Sequence, residues 1–175
     1  MPDRQETCCF TGHRPGKLPW KYDESDPRCL ALKRRIDDAV EAAYEGGYRR
    51  FLCGMAQGCD LYFCESVLAL RERCPDVTLE AAIPCPSQAD SWPRAERERY
   101  AGLVSRCDIE TLVSAQYHRG CMLRRDRYMV DHSSLLIAAF DGTGGGTMYT
   151  LNYAMKQGLA IVDLALVQQE GESRR

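Results

Sequence analysis

Short apolar runs alternate with amphipathic segments along most of this chain, and this alternation restricts the fold more than any other feature of the sequence. Strands are predicted where a short apolar run lies between turn residues, and helices where apolar residues recur every three or four positions. Such an alternation predicts an α/β fold, a three-layer sandwich with a mostly parallel sheet. The predicted strands are 7–11, 48–55, 77–85, 109–115, 134–140 and 160–166, and the predicted helices are 29–44, 60–73, 93–106, 120–132 and 147–157.

Length and charge limit the number of domains and the classes of partner. The 175 residues contain no long linker, which predicts a single domain over 1–175 with a loose tail at 165–175. The net charge of −2 provides no overall basic field, so nucleic acid is not the expected partner. No apolar run approaches the ~20 residues of a membrane span, and the first ten residues lack an apolar signal core, so we expect a cytoplasmic protein without a membrane partner.

The ten cysteines do not predict a metal site. No two of them have the spacing Cys-x-x-Cys, and most lie in predicted strands or on apolar helix faces. We therefore expect free thiols that pack as small hydrophobic side chains, with no metal ligands.

In a parallel sheet, ligands bind beyond the carboxyl ends of the strands, so the strand exits are the places to search. The first exit, "FTGHRP", contains Gly12, His13 and Arg14. Gly12 allows a tight turn, after which His13 and Arg14 either grip a phosphate or carboxylate or form a solvated surface turn.

The second exit is "CGMAQGCD", in which Gly54 and Gly58 bracket the passage from strand to helix. Backbone amides at this helix start are candidates for contact with an anion. Asp60 either caps the helix, which is the favoured interpretation, or reaches a ribose hydroxyl.

The third exit, "DGTGGGTMYT", is the richest in glycine. Its glycines remove every side chain that would hold a phosphate away from the backbone, and threonine hydroxyls add donors at the helix start. It lacks the lysine of a Walker-type loop. The candidate ligand-binding residues at this exit are Asp141, Gly144, Gly145, Gly146 and Thr147.

The segment "CMLRRDRYM" precedes the fifth strand and contains three arginines. In a helix Arg124 and Arg127 share one face and Arg125 lies beside it. Arginine binds phosphate bidentately, so Arg124 and Arg125 are candidate ligands, although a charged helix face is also commonly just solvated.

Together the motifs "FTGHRP", "CGMAQGCD" and "CMLRRDRYMVDHSSLLIAAFDGTGGGTMYTLNYA" resemble the SLOG superfamily. This superfamily joins the Smf/DprA DNA-processing proteins to the Lonely Guy phosphoribohydrolases, and the chain is most similar to its YpsA-like bacterial branch over about residues 7–164. The resemblance implies a Rossmann-like fold, a pocket for a nucleotide or an ADP-ribose-like ligand, and a homodimer.

Two departures from the superfamily's motifs concern activity. In 54–60, which is similar to GGAxGxD, Met55 replaces a glycine. In 146–150, which falls on the Lonely Guy pattern PGGxGTxxE, Thr150 stands where the catalytic glutamate would be, while Arg125 lies close to the position of the catalytic arginine.

These departures favour a binding module over an enzyme. The expected function is that of a sensor or regulator that binds a nucleotide-derived ligand, with no required cofactor and no assigned catalytic residue. The alternative is a nucleotide N-glycoside or phosphoribosyl hydrolase in which Asp60, Asp141 or Glu65 replaces the missing carboxylate. Binding of single-stranded DNA, as in Smf/DprA, is disfavoured by the acidic isoelectric point of about 5.9.

Overall fold

A computed structural model describes residues 3–166, which form one six-stranded sheet with helices on both faces. The strands are β1 (Thr7–Gly12), β2 (Arg50–Cys53), β3 (Thr78–Ile83), β4 (Ile109–Leu112), β5 (Leu135–Phe140) and β6 (Ala160–Ala165). The helices are α1 (Pro27–Glu45), α2 (Cys59–Arg73), α3 (Arg94–Arg106), α4 (Cys121–Asp131) and α5 (Gly146–Lys156).

The strand order is β4-β3-β2-β1-β5-β6, and every neighbouring pair is parallel. The chain therefore builds outward from β1 to β4, crosses back, and continues on the other side with β5 and β6. The predicted three-layer α/β sandwich is confirmed. The order reverses between β1 and β5, which is where ligands bind in sheets of this kind.

Alternation along β1 supplies both faces of the core. Cys8 and Phe10 point into a cluster with α1 and α2, where the Phe10 and Phe63 rings stack with centroids 4.7 Å apart. Cys9 points to the opposite face, into a smaller cluster that includes Met129 of α4 and Ala154 of α5. Successive side chains of a strand face opposite sides, so a central strand covered on both faces buries side chains at consecutive positions.

Local signals explain where α1 begins and ends. Pro27 occupies its first turn, and the Asp26 carboxylate accepts a hydrogen bond from the Arg28 backbone N–H at 2.8 Å. At the other end the Gly46 N–H donates to the Ala42 carbonyl, and the helix stops at the predicted pair of glycines.

The last described residues follow the predicted strand 160–166 and overlap the predicted start of the tail. Ala165, predicted to begin the loose tail, is the last residue of β6, and the Leu166 N–H donates to the Phe140 carbonyl. The remainder of the predicted tail, 167–175, lies outside the described residues. Between residues 3 and 166, no helix has the length and apolarity that crossing a membrane requires.

Candidate functional site at the carboxyl edge of the sheet

A cleft of about 280 Å³ opens beside the carboxyl end of β1, at the point where the strand order reverses. Its volume is near the lower end of the range for small-molecule sites, ~300–1,000 Å³. Residues from all three predicted strand exits and from α4 line it. The lining residues are Phe10, Thr11, Gly12, His13, Arg14, Gly16, Lys17, Ala56, Asp60, Arg125, Asp126, Met129, Gly146 and Thr147.

His13 connects the first exit to the third. Its side chain is buried, and its Nε2 lies 2.7 Å from Asp141 Oδ1 while its Nδ1 lies 3.5 Å from Thr147 Oγ1. The Asp141 backbone nitrogen lies 3.2 Å from the same Nε2, so His13 contacts both the side chain and the backbone of Asp141. Of the predicted pair, His13 is thus part of the interior, whereas Arg14 is exposed at the cleft.

Asp141 remains ionised in this arrangement. Burial opposes its charge, but hydrogen bonds from the Thr143 hydroxyl and backbone N–H and from His13 outweigh that effect and lower the pKa of Asp141 to about 2. Asp141 does not line the cleft itself. Its role in the structure is to orient His13 and the beginning of the glycine-rich loop.

Two glycines of the second exit allow protein groups to approach each other. A Cβ on Gly54 would lie 2.6 Å from Arg125 Nη1, and a Cβ on Gly58, which has φ +83°, would lie 2.8 Å from the His13 carbonyl oxygen. The Cys59 N–H donates to that same carbonyl at 3.2 Å. Gly54 therefore leaves room for the Arg125 side chain, and Gly58 leaves room for the His13 backbone. Neither glycine lines the cleft.

Asp60 does not cap α2, contrary to the favoured interpretation of the sequence. It is the second residue of the helix, and its Oδ2 accepts from the Ala56 N–H at 3.1 Å, while the N-cap residue is Gly58. Asp60 is buried at the cleft floor. Desolvation raises the pKa of this carboxyl to about 6, although the nearby Arg125 guanidinium and the Ala56 N–H act in the opposite direction.

Arg125 and Arg124 lie in different places. Arg125 is 4% exposed and lines the cleft, with its Nε donating to Asp126 Oδ1 at 2.7 Å and its Nη1 donating to the Gly54 carbonyl. Burial disfavours its charge, but Asp126 and Asp60 more than compensate, and the pKa of Arg125 is raised. Arg124 is exposed in a separate surface depression that it shares with Arg127.

One end of the Arg125 guanidinium is only weakly engaged. Within 3–166, the contact of its Nη2 is with the Met122 sulfur at 4.0 Å. A buried, charged donor with so long a contact has capacity to bind an anion at the cleft.

The glycine-rich loop brings the start of α5 to the cleft. Gly145 is the N-cap at φ +142°, and the first backbone bond of the helix runs from the Tyr149 N–H to the Gly145 carbonyl. The amides of residues 146–148 therefore have no partner within the helix. Gly146 and Thr147 line the cleft, whereas the exposed Gly144 and Gly145 do not. A helix start of this kind attracts anions.

Lys17 belongs to the site although sequence reasoning missed it. Its Nζ donates to the Gly144 carbonyl at 2.5 Å and contacts Thr143 Oγ1 at 3.5 Å, so it spans from the segment after β1 to the glycine-rich loop. The only available signal was a positive charge three residues after Arg14, which is not specific. Asp126, the partner of Arg125, was also missed, because a single acidic residue in a charged helix is not a specific signal either.

Thr150 provides no replacement for the missing glutamate. It is fully buried, its hydroxyl donates to the Gly146 carbonyl at 3.0 Å, and it is not part of the cleft lining. Helix α5 therefore contributes amides and a hydroxyl to this site, but no carboxylate.

Two solved structures share the architecture. DNA processing protein A from Helicobacter pylori, described for its single-stranded DNA binding mode, superposes with a TM-score of 0.63 at 16% identity, covering 97% of this chain and 68% of that one. DNA processing protein A from Streptococcus pneumoniae gives a TM-score of 0.59 at 15% identity, covering 91% of this chain and 50% of that one. At these identities the likeness concerns the fold.

Sequence relatives are closer. The uncharacterised SPbeta prophage-derived protein YoqJ of Bacillus subtilis is 30% identical over 145 residues, which is 75% of this chain and 84% of YoqJ. The UPF0398 protein BH1768 of Halalkalibacterium halodurans is 26% identical over 129 residues, 72% of this chain and 68% of that protein. The model of the YspA SLOG family matches residues 8–165, a span from β1 to the last residue of β6. This chain therefore belongs to the YspA SLOG family.

Proposed function

We propose that the cleft binds the phosphate of a nucleotide or of an ADP-ribose-like molecule, and that the protein is a cytoplasmic sensor or regulator for this ligand. One observation carries the proposal: the unpaired amides at the start of α5 share a cleft with Arg14, Lys17 and Arg125 at the reversal of strand order. The helix start and the three cations all favour an anion. This attraction for anions is local to the cleft, because the net charge of the whole chain is −2.

The absence of a carboxylate from α5 favours binding over turnover. Thr150 bonds within its own helix, and Asp141 is committed to His13 and Thr143. Glu65, another candidate replacement, pairs with Arg99 at 2.5 Å and is not part of the cleft lining.

Asp60 supports the alternative, hydrolysis of an N-glycosidic bond. It lines the cleft, and desolvation raises its pKa to about 6. Roughly a tenth of it is therefore protonated at pH 7, far more than of an ordinary aspartate. A carboxyl group in this state is suited to protonating a departing base. Sensor and hydrolase share the same phosphate site and differ in the fate of the ligand.

The first experiment is a thermal-shift titration of the full chain with nucleoside mono-, di- and triphosphates, ADP-ribose, NAD and cyclic nucleotides. Stabilisation should rise with ligand concentration as binding to the folded state requires. Chromatography of each stabilising compound after incubation then distinguishes the functions. Recovery of intact ligand supports the sensor, whereas release of free base or ribose phosphate supports the hydrolase.

Lys17→Ala tests whether the observed cleft is the site. Removing one cation from an anion site should weaken binding about tenfold. The matched control is Lys156→Ala, which removes an exposed lysine from the far end of α5 and should leave affinity unchanged. Equal affinities of the two variants would contradict the proposed location.

A single-stranded oligonucleotide belongs in the same titration, because the two DNA processing proteins share the fold. If the oligonucleotide binds with a steep salt dependence while the small nucleotides do not bind, the small-molecule proposal is wrong. If only small nucleotides bind, the fold is shared without that interaction.

A further inference from the structure

The lining of the cleft includes two carboxyl groups, and within residues 3–166 only one of them is paired with a cation. Asp126 Oδ1 accepts from Arg125 Nε at 2.7 Å. Asp60 is buried, its Oδ2 accepts from the Ala56 N–H at 3.1 Å, and it forms no ion pair in this part of the chain. Its Oδ1 makes no hydrogen bond there and is not sealed from solvent, so it faces the cleft.

The charges around Asp60 come from two sides of the cleft. Desolvation is the largest effect and raises its pKa to about 6, while Arg125 of α4 and Arg14 after β1 act in the opposite direction and Asp126 adds to the rise. The other titratable side chains of the cleft wall, the end of β2 and the start of α2 are His13, Lys17, Cys53 and Cys59. Burial raises the pKa of both thiols, so they are uncharged near neutral pH.

The cleft is too small for an anion to avoid Asp60. A sphere of about 280 Å³ is roughly 8 Å across, which is no more than the Debye length at physiological ionic strength. A phosphate that reaches Arg125 or the amides of α5 therefore acts on the Asp60 carboxyl across a poorly solvated space. Two negative charges at this separation repel, and the repulsion disappears when the carboxyl group is protonated.

We propose that an anion enters the cleft together with a proton that binds to the Asp60 carboxyl, so that the affinity for the ligand falls as the pH rises. This assignment rests on the proposed phosphate site and adds its regulation by protons. A neutral Asp60 also turns its free oxygen edge into a possible donor toward the phosphate, whereas the ionised group only accepts.

The sign of the effect follows from linkage. In the free cleft the pKa of Asp60 is about 6, so at pH 7 most molecules must gain a proton when the anion binds. The bound anion raises this pKa further, and a group whose pKa is raised by binding favours binding at low pH. Affinity should therefore be constant below about pH 5 and decrease by up to about tenfold per pH unit above pH 6.

The test uses isothermal titration calorimetry with ADP-ribose on the full chain at pH 6, 7 and 8. ADP-ribose is a suitable probe because its pyrophosphate keeps its charge over this range, whereas a phosphomonoester has a pKa of about 6. Wild-type protein should bind about tenfold more weakly at pH 8 than at pH 6. At pH 7, titrations in two buffers of different ionisation enthalpy should reveal uptake of up to one proton per ligand.

Asp60→Asn keeps the shape of the side chain and removes its titration. This variant should bind ADP-ribose with the same affinity at pH 6 and 8, and at pH 8 more tightly than wild type, a gain that the loss of a merely structural group would not produce. Asp38→Asn, at an exposed aspartate of α1, is the matched control and should keep the wild-type pH dependence. Thermal midpoints without ligand verify that both variants are folded.

Two results would overturn the assignment. If Asp60→Asn retains the pH dependence, another group, such as His13, is responsible; if wild-type affinity does not change with pH, no proton is coupled to binding. Failure of ADP-ribose to bind would instead count against the proposed function for that ligand. The coupling is then decided by ¹³C NMR titration of the Asp60 carboxyl with sulfate, an anion of constant charge, against chloride of equal ionic strength. A titration midpoint raised by sulfate supports the proposal, and an unchanged midpoint contradicts it.

Discussion

Two aspartates near the cleft have pKa values shifted in opposite directions. Desolvation at the cleft floor raises the pKa of Asp60 to about 6. At Asp141 the opposing effect of burial is outweighed by hydrogen bonds from Thr143 and His13, which lower the pKa to about 2. Two similar carboxyl groups thereby differ in charge: Asp141 is a fixed, ionised acceptor that orients His13, whereas Asp60 titrates near pH 6.

Asp60→Asn should change how the free energy of unfolding depends on pH. The folded-state pKa of Asp60 is raised from 3.8 to about 6, so the folded state holds its proton more tightly than the unfolded state does. Wild-type protein therefore loses stability as the pH rises from about 4 through 6, by on the order of 3 kcal/mol. Asp60→Asn should lack this loss. Urea denaturation at several pH values measures it, and parallel curves for the two proteins would contradict the shift.

At the level of elements, the loop from β2 to α2 contains an unusual residue. Met55 is fully buried and has φ +58°, the left-handed region that glycine adopts without cost. The superfamily motif has glycine at this position. The left-handed backbone of Met55 costs free energy, whereas burial of its side chain stabilises the fold, so the two effects oppose each other.

Comparing Met55→Gly with Met55→Ala separates these effects. Both variants lose the buried side chain and should unfold with about 2–5 kcal/mol less free energy than wild type. At an ordinary helix or strand position, a glycine variant is less stable than an alanine variant by ~0.5–1 kcal/mol. Here glycine relieves the left-handed strain. The free energy of unfolding of Met55→Gly should therefore equal or exceed that of Met55→Ala. Chemical denaturation decides, and a clearly less stable glycine variant would show that the strain is negligible.

Sequence patterns predicted the elements well and their ends less well. All six strands and five helices are present, because apolar periodicity reports burial directly. The second strand was predicted as 48–55 but spans Arg50–Cys53. The backbone of Arg49 still bonds to both neighbouring strands' ends, accepting from the Thr78 N–H and donating to the Glu6 carbonyl, each at 2.9 Å. The β-like sequence pattern therefore extends beyond the residues that the strand itself includes.

The candidate site was predicted in part for a related reason. The strand exits and the glycine-rich loop could be recognised because the topology of a parallel sheet places them at one edge. Whether Arg124 or Arg125 faces the sheet depends on the rotation of α4 about its axis, which tertiary packing sets. Lys17 and its partner Gly144 are 127 positions apart in the sequence. Local sequence patterns cannot predict a contact at that separation.

For the whole molecule, burial decreases from the centre of the sheet to its edges. β1 is buried at every position except Gly12, whereas β4, at one edge, has no buried residue and exposes Ile109 and Leu112. The backbone hydrogen bonds of β1 and β5 should therefore open only with global unfolding, and those of β4 by local fraying. The homodimer implied by the resemblance stays a prediction.

Hydrogen exchange measured by mass spectrometry should reproduce this gradient. Peptides covering β1 and β5 should exchange about 100-fold more slowly than peptides covering β4, because opening the centre requires disruption of both core clusters. A bound nucleotide should slow exchange at the start of α5 and leave β4 unchanged. Equal protection of β4 and β1 would mean that β4 is covered in solution.

The strand order also matters while the chain is being synthesised. β1 is made before the other five strands of this sheet, yet one of its two neighbours, β5, begins only at Leu135. Until then the nascent chain has a bare, apolar strand edge in what will become its centre, the kind of edge that recruits other chains. The wall of the cleft from β1 and α2 therefore exists well before the wall from α5. A ligand that contacts both walls of the cleft cannot assist the earlier stages of folding.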